Sequence, residues 1–356
     1  ASDVYKRQLS YDGVEYELIE HQLTEEQRRF YDSYAGAFAV IHNNLDAAME
    51  AANITGSDGT LNRQAKSAAR SAFESTKQRF FGHLLTSMKT PTLLRSITED
   101  LEAGHAAVIQ IVSTGEALME RRLAEIPTEE WNDLNTDLSP REYVMSYLQH
   151  SFPVQLYEPF SDGEGNVSSR PVFRDGQPVE SREAVSRRDA MIEHLAGLPP
   201  VPGALDQIVQ HFGTELVAEV TGRSRRIIRK GEGAAARLAV ENRAASANLA
   251  ETSAFMDDQK RILVFSDAGG TGRSYHAELS ARNQRLRVHY LLEPGWKADA
   301  AIQGLGRTNR TNQAQPPLFR PIATDVKAEK RFLSTIARRL DTLGCLLYTS
   351  PSPRDR

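Results

Sequence analysis

The sequence predicts an α/β fold: a parallel sheet with helices on both faces, carrying a helical N-terminal extension and an inserted helix plus β-hairpin subdomain. Three apolar runs lead to it. Residues 105–112, HAAVIQIV, lie between Gly104 and Ser113-Thr114-Gly115, and a helical pattern follows at 116–126. Residues 262–265, ILVF, stop at Ser266-Asp267-Ala268-Gly269-Gly270-Thr271-Gly272. Residues 288–292, VHYLL, precede a helical segment carrying Gln303-x-x-Gly306-Arg307-x-x-Arg310. Short apolar runs without alternation are the pattern of strands buried on both faces. Strand, small polar turn and helix make half of a βαβ unit.

The ends are set apart before the elements are taken in order. Asp3-Val4-Tyr5-Lys6-Arg7-Gln8 and Cys345-Leu346-Leu347-Tyr348-Thr349 can be encoded by one DNA element and its reverse complement. That element resembles the transposon end used as a sequencing adapter, so residues 1–8 and 345–356 are excluded from fold reasoning. The natural portion then reads as a fragment cut at both ends. The single cysteine, Cys345, falls in the excluded tail, which leaves no disulfide, Cys-based zinc site or thiol chemistry. Each tag carries two basic residues and one acidic, so the net charge moves from −4 to −6 without them. This mild acidity argues against a uniformly basic nucleic-acid coat and leaves room for a local basic groove. There is no signal peptide and no apolar run near the length of a membrane span. A soluble cytoplasmic protein without a membrane partner is expected.

Residues 14–19, VEYELI, alternate and predict a short strand. Thr24 is a good N-cap with Gln27 at the capping-box position, opening a helix through Tyr31 and Ala35 toward Ala52. Gly56-Ser57-Asp58-Gly59 breaks it. A second helix is expected over 62–88, and a third from Pro91 to Gly104. After the strand at 105–112 and the helix at 116–126, the segment 127–200 changes character. It is polar from Trp131 to Leu138, helical over 140–149, and a β-hairpin over 154–179 around Asp162-Gly163-Glu164-Gly165-Asn166. Pro199-Pro200-Val201-Pro202-Gly203 closes it, and it reads as an insertion. An amphipathic helix (205–212), a short strand (216–220), a basic turn or hairpin (221–231) and an Ala-rich helix (234–256) follow. A last strand covers 318–324 and a last helix 326–343. The expected organisation is a linker at 9–30, a helical protrusion at 31–104, and a lobe at 105–343 interrupted by 127–200. No internal repeat is visible.

On a helix, Arg307 and Arg310 would be one turn apart and share a face. Guanidinium forks suit phosphate oxygens and stabilise charge at a transferring γ-phosphate. Gly306 lets a backbone or phosphate approach closely. A bare RxxR is more often a solvated surface pair; the full pattern, downstream of a Gly-rich strand end, favours function. Glycines at a strand's carboxyl edge permit positive φ and expose N–H groups as an anion nest. Ligands bind at that edge of open parallel sheets, although AGGTG alone describes an ordinary tight turn equally well. Ser113 and Thr114 sit at a helix N-terminus, which favours a phosphate or simple N-capping. The run from Arg223 to Lys230, with Arg225 and Arg226, has the charge to track a phosphate backbone; more often such a run is a solvated hairpin. Trp296 has the chemistry to stack on a base or on adenine, with packing as the plainer role. His276 and His289 show no acid–base work, the other histidines have no ligand spacing, and no metal site is expected.

The two patterns and the spacing between them resemble motifs V and VI of superfamily 2 helicases, with the remodeller-type ATPases closest among the large groups. The wording is more similar still to the strawberry notch proteins. LDQIVQHFGTELVAEVTGR, FMDDQKRILVFSDAGGTGRSYHA, ARNQRLRVHYLLEPGWKADAAIQGLGRTNRTNQ and LFRPIATDVKAEKRFL carry the resemblance over most of 204–343. VEYELIEHQLTEEQRRFYDSYA resembles the linker that opens the second motor lobe. The long insertion fits bacterial, plasmid and phage members.

The resemblance implies a RecA-like second helicase lobe. It implies that Arg310 is an arginine finger reaching ATP held by a partner lobe, with Arg307 its companion. Gln303 and Gly306 would lie at the nucleotide or lobe interface. Asp267, Gly270 and Gly272 would couple the nucleotide state to nucleic acid. Thr271, Arg273 and Ser274, with Ser113 and Thr114, would touch the phosphate backbone. No G-x-x-x-x-G-K-[ST] is present, nor a Walker B acidic pair before the glycine segment. ATP and Mg²⁺ would therefore be held mainly by an N-terminal RecA-like lobe, and this chain alone would neither bind ATP tightly nor hydrolyse it. The expected function is the motor lobe of a nucleic-acid-dependent helicase, translocase or remodeller acting on double-stranded DNA. The alternatives are a non-catalytic nucleic-acid or protein platform, and the helicase-like component of a restriction or methyltransferase system.

Overall fold

The computed structural model describes residues 13–57, 59–134, 141–161, 163–199, 201–295 and 297–342, and the backbone of Leu346–Leu347. The adapter-like residues 1–8, Asp162 of the expected hairpin turn, Trp296 and Cys345 lie outside the described residues. The chain divides into two compact units. One comprises Ala1–Leu23, Leu85–Thr136 and Pro202–Arg356; the other comprises Thr24–Leu84 and Asp137–Val201.

The first unit is built on a parallel sheet. Its strands run in the order Val217–Val220, Ile262–Ser266, Ala106–Ile111, Arg287–Leu291, Leu318–Thr324, Glu15–Tyr16, and Ile19–His21 pairs with the end of Leu318–Thr324. The register sets Ala107 beside both Ile262 and Val288. Every residue of Ala106–Ile111, Ile262–Ser266 and Arg287–Leu291 is buried, which explains their unbroken apolar runs. Successive residues face opposite sides of the sheet. Ile109, Val264 and Tyr290 pack with Ile208 of the helix Ala204–Phe212 and with Leu93 and Ile97. Val108, Leu263 and Phe265 pack with Phe255 of Ala247–Met256. Leu291 and Phe319 pack with Leu305 and Ile336 of the helices Ala298–Leu305 and Lys327–Thr342. The expected α/β lobe, a parallel sheet covered on both faces, is the observed fold.

The second unit contains the helix Glu25–Ala51, the first half of Arg63–Glu102, and the helices Arg141–His150 and Arg182–Ala196. Its core is aromatic: Tyr34 and Phe38 pack at a tilt against Phe80 with ring centroids 4.6 and 5.4 Å apart. The Thr24–Gln27 capping box forms as expected, with both reciprocal bonds at 3.1 Å. Tyr157–Ser161 and Val167–Pro171 make the expected hairpin, and Phe173–Arg174 with Gln177–Pro178 adds a smaller one.

Four local expectations are corrected. Residues 14–19 form not one strand but two short ones, Glu15–Tyr16 and Ile19–His21. The helix Arg182–Ala196, opened by the Ser181 hydroxyl accepting from the Ala184 N–H at 3.3 Å, was not expected. Pro91 does not start a new helix; it lies inside the continuous helix Arg63–Glu102. Pro91 is exposed, while Lys89 and Leu93 beside it are buried, and tertiary anchors on both sides hold the axis through the missing hydrogen bond. The Ala-rich segment 234–256 is not one helix either. Arg237–Asn242 is a strand paired antiparallel with Arg225–Lys230, and the helix begins only at Ala247. Cross-strand charge pairing explains this: Arg226 stands opposite Glu241, and its Nε donates to Glu241 at 2.6 Å. Leu346–Leu347, in the segment read as adapter-derived, pairs with Glu15–Tyr16. A sheet edge offers free N–H and C=O groups to any extended dipeptide.

Among the described residues, no helix is long and apolar enough to cross a membrane.

Candidate functional site

The carboxyl edge of the sheet brings two segments together. The strand Ile262–Ser266 runs directly into one helical turn, Asp267–Gly270, rather than an open nest. Gly269 makes this possible. A Cβ there would lie 2.4 Å from the Val220 carbonyl oxygen and 2.5 Å from the Thr221 Cα, so the turn lies flat on the neighbouring strand end. A Cβ on Gly270 would lie 3.1 Å from the Phe265 ring, 3.2 Å from the Tyr275 hydroxyl and 3.6 Å from Arg307 Nε. Gly272 has φ +74°, the left-handed conformation that turns the chain away. Asp267, Thr271 and Gly272 are exposed, and Arg273 and Ser274 half-buried. The Thr271 hydroxyl donates to the Asp267 carbonyl at 2.9 Å.

The second segment corrects the expected helix. Ala298–Leu305 ends before the arginines, with Gly306 as its C-cap, so Arg307 and Arg310 do not share a helical face. The backbone is drawn off the helical path. The Tyr275 N–H donates to the Arg307 carbonyl at 2.7 Å, and the Arg310 N–H donates to Gln313 Oε1 at 3.0 Å. Arg307 is half-buried, with its guanidinium 5.9 Å from the Phe265 ring centroid. Its Nη1 donates to the Arg273 carbonyl at 2.8 Å. Its Nε is buried without a hydrogen-bond partner among the described residues, as is the Tyr275 hydroxyl nearby. Burial pushes that phenol up to about 12, against the opposing pull of Arg307 and Arg273, so it stays a donor. Gln303 and Arg310 are exposed. The glycine segment and the arginine turn are thus one bonded assembly, with Arg310 projecting from it.

The other expected phosphate contacts come from other segments. At the Ser113–Thr114 corner, the N–H groups of Val112 and Ser113 both donate to the Glu293 carboxylate at 3.0 Å. A carboxylate of the chain itself thus occupies the amides an anion would use. Among the described residues, the Ser113 and Thr114 hydroxyls accept from the Gly115 and Glu116 N–H groups at a long 3.4 Å.

The basic run is turned inward. Arg223 is buried and bonds Glu219 at 2.6 and 3.0 Å and Asp206 at 2.8 Å. Arg226, also buried, is shared between Glu241 and Glu219, and Arg225 pairs with Glu120 over the Trp131 ring. Burial alone would raise the Glu219 carboxyl. Arg223 and Arg243, with the Thr221 hydroxyl, outweigh it and hold the group down at about 2. These arginines support the strand end on which Gly269 rests, and Arg229 and Lys230 are the exposed cations of the strand Arg225–Lys230. Sequence reasoning missed Glu219, Tyr275 and Glu293. Each lies in a segment that carries the family resemblance but outside the glycine and arginine patterns, and only the fold brings each to its partners.

Comparison with known proteins gives the same outline. Residues 203–351 match the domain family described as the C-terminal domain on strawberry notch homologue, a span running past the lobe end expected at 343. The chain is 28% identical over 415 residues to protein strawberry notch homolog 1 of Rattus norvegicus, covering 96% of this chain and 32% of that protein. It is 26% identical over 455 residues to protein FORGETTER 1 of Arabidopsis thaliana, covering 96% of this chain and 34% of that protein. Against protein strawberry notch homolog 1 of Gallus gallus the identity is 38% over 184 residues, 48% of this chain and 14% of that protein. The chain therefore spans about a third of the first two relatives. Residues 203–351 thus match the helicase-type C-terminal domain found on strawberry notch homologues, and the chain is similar to strawberry notch proteins over most of its length.

Proposed function

We propose that this chain is the C-terminal motor lobe of a nucleic-acid-dependent ATPase, a helicase, translocase or DNA remodeller. Arg310 acts as the arginine finger and Arg307 as its companion toward the γ-phosphate or an acidic group of the partner lobe. The observation that carries this reading is the hydrogen bond from Arg307 to the Arg273 carbonyl, which joins the arginine turn to the exposed segment Thr271–Gly272. In this reading a group that acts on phosphate is fastened to a loop that contacts nucleic acid. The residues fit an anionic nucleotide: one exposed guanidinium, and a second whose Nε still lacks a partner.

ATP and Mg²⁺ are held mainly by an N-terminal RecA-like lobe, and this chain alone neither binds ATP tightly nor hydrolyses it. The nucleic acid is double-stranded DNA, contacted by Thr271, Arg273 and Ser274, and at Ser113 and Thr114 once Glu293 is displaced. We assign the protein to the cytoplasm of a bacterium or to a phage or plasmid, although the relatives above come from animals and a plant.

Arg310→Ala in the full-length protein should lower DNA-stimulated ATP turnover by about 10³-fold or more, the usual worth of an arginine finger. DNA binding should stay within about twofold, because the side chain contacts nucleotide only in the closed, two-lobe state. Undiminished turnover rejects the assignment.

A further inference from the structure

We infer that Gln110, His289 and Thr308 form a buried positioning chain that fixes the backbone of Arg307, an inference that rests on the ATPase reading above. His289 is fully buried in the strand Arg287–Leu291, its ring edge-on to Phe265 and Phe319 at 5.7 and 5.6 Å. Both ring nitrogens are used. Nδ1 lies 2.7 Å from the Thr308 hydroxyl and Nε2 lies 3.1 Å from Gln110 Oε1. Gln110 Nε2 donates to the Ala301 carbonyl at 3.3 Å, which leaves its Oε1 to accept. His289 is then neutral with its proton on Nε2, donating to Gln110, and Nδ1 accepts the Thr308 hydroxyl proton as the nearer of two acceptors, the other being the Leu305 carbonyl at 3.2 Å. The chain thus links the strand Ala106–Ile111, the strand beside it, the helix Ala298–Leu305 and the turn that follows.

Two further observations indicate that this arrangement is built rather than incidental. A Cβ on Gly304 would lie 2.0 Å from Gln110 Nε2, so this glycine is the space into which the amide reaches. Thr308 directly follows Arg307, whose own carbonyl is held by Tyr275. The Arg307 N–H in turn donates to the Gly304 carbonyl at 3.0 Å, so the guanidinium leaves a backbone fixed on both sides. Three mutually satisfied polar groups at the centre of a sheet add little that apolar residues of the same volume would not, so stability alone does not account for them. Their benefit is precision, because a misplacement of about 1 Å at a reacting group can cost about 10²-fold in rate. Gln110, His289 and Thr308 touch no substrate and act only through Arg307; they are positioning residues.

The test uses the full-length protein with DNA-stimulated ATP turnover, comparing Thr308→Val, Thr308→Ser, Gln110→Met and Arg307→Ala. Thr308→Val keeps the shape and removes the hydroxyl. It should lower kcat about 10- to 100-fold with the ATP KM unchanged, since positioning acts on the transition state. Thr308→Ser should restore kcat, and Gln110→Met, which keeps the length without the amide, should reproduce the loss. Full kcat in Thr308→Val and Gln110→Met, while Arg307→Ala is inactive, overturns the positioning chain and leaves the ATPase reading intact. Full kcat in Arg307→Ala overturns the role of Arg307 and the chain with it. A fall in kcat that follows only a fall in the folded fraction, measured by thermal melting of the same samples, also overturns it.

Discussion

Glu219 is a carboxylate without water, held by Arg223, Arg226 and Arg243 at the end of the strand Val217–Val220. Its carboxyl is held at about 2 instead of 4.5, so its contribution to stability is complete above about pH 4.5 and lost as pH falls toward 2. His289 acts from the other direction. Burial first, and then the Arg307 charge, lower it to about 3 from 6.5, so the unfolded chain takes up a proton there that the folded chain refuses. That contribution is complete above about pH 6.5 and fades toward pH 3. Both signs agree: urea-unfolding stability should fall from pH 7 to pH 4, gently at first, and His289→Gln should reduce the slope above pH 5, the remainder coming from His276, which burial also lowers. A slope that persists unchanged in this variant contradicts the neutral buried imidazole. Glu219→Gln should cost about 3–5 kcal/mol at pH 7, because it leaves guanidinium charge buried without its partner. Little of this was legible in the sequence. Arg307 and Arg310 stand out through their spacing to glycines. Glu219 and His289 are single letters in apolar runs whose partners lie up to 179 residues away.

Elements were legible where their determinants are local. The Thr24–Gln27 box opens its helix within one turn of chain, and the strands Ala106–Ile111, Ile262–Ser266 and Leu318–Thr324 carry their burial in their composition. Failures came where a distant partner overrides local preference. Arg237–Asn242 is a strand because Arg225–Lys230 lies beside it. The arginine turn leaves the helix because Tyr275 and Gln313 claim its backbone. Pro91 is the sharpest case. A proline within a helix costs about 3 kcal/mol or more through its lost hydrogen bond and ring clash. Arg63–Glu102 passes through it because Lys89 is anchored by Glu329 at 2.6 Å and by the Ile322 carbonyl at 2.8 Å. The ring itself is exposed and packs nothing away. Pro91→Ala should therefore raise unfolding stability by about 1–3 kcal/mol, part of the full penalty because the helix has already adapted. Unchanged or lower stability, measured by urea denaturation, would mean that the proline itself helps to seat Lys89.

At the scale of the molecule, the question is where an acidic chain would present positive charge to DNA. The net charge is −4, so no general field draws in a polyanion, and any contact must come from a few placed cations. Sequence alone directs attention to the densest basic run, Arg223 to Lys230, since cationic letters look alike whether they face solvent or carboxylates. The fold separates them: Glu219, Asp206, Glu241 and Glu120 take up Arg223, Arg225 and Arg226. Arg273 instead lies half-buried on the glycine segment, beside exposed Thr271 and Gly272. The two classes of arginine should behave oppositely in duplex DNA binding measured between 50 and 200 mM salt. Arg273→Ala should weaken binding for all sequences and reduce the salt slope by about 1, the signature of one lost phosphate contact, with no change in melting temperature. Arg226→Ala should leave the slope unchanged and lower the melting temperature, because it strips a partner from a buried carboxylate. A reduced salt slope in Arg226→Ala without loss of stability would return the basic strand to the DNA track and remove the glycine segment from it.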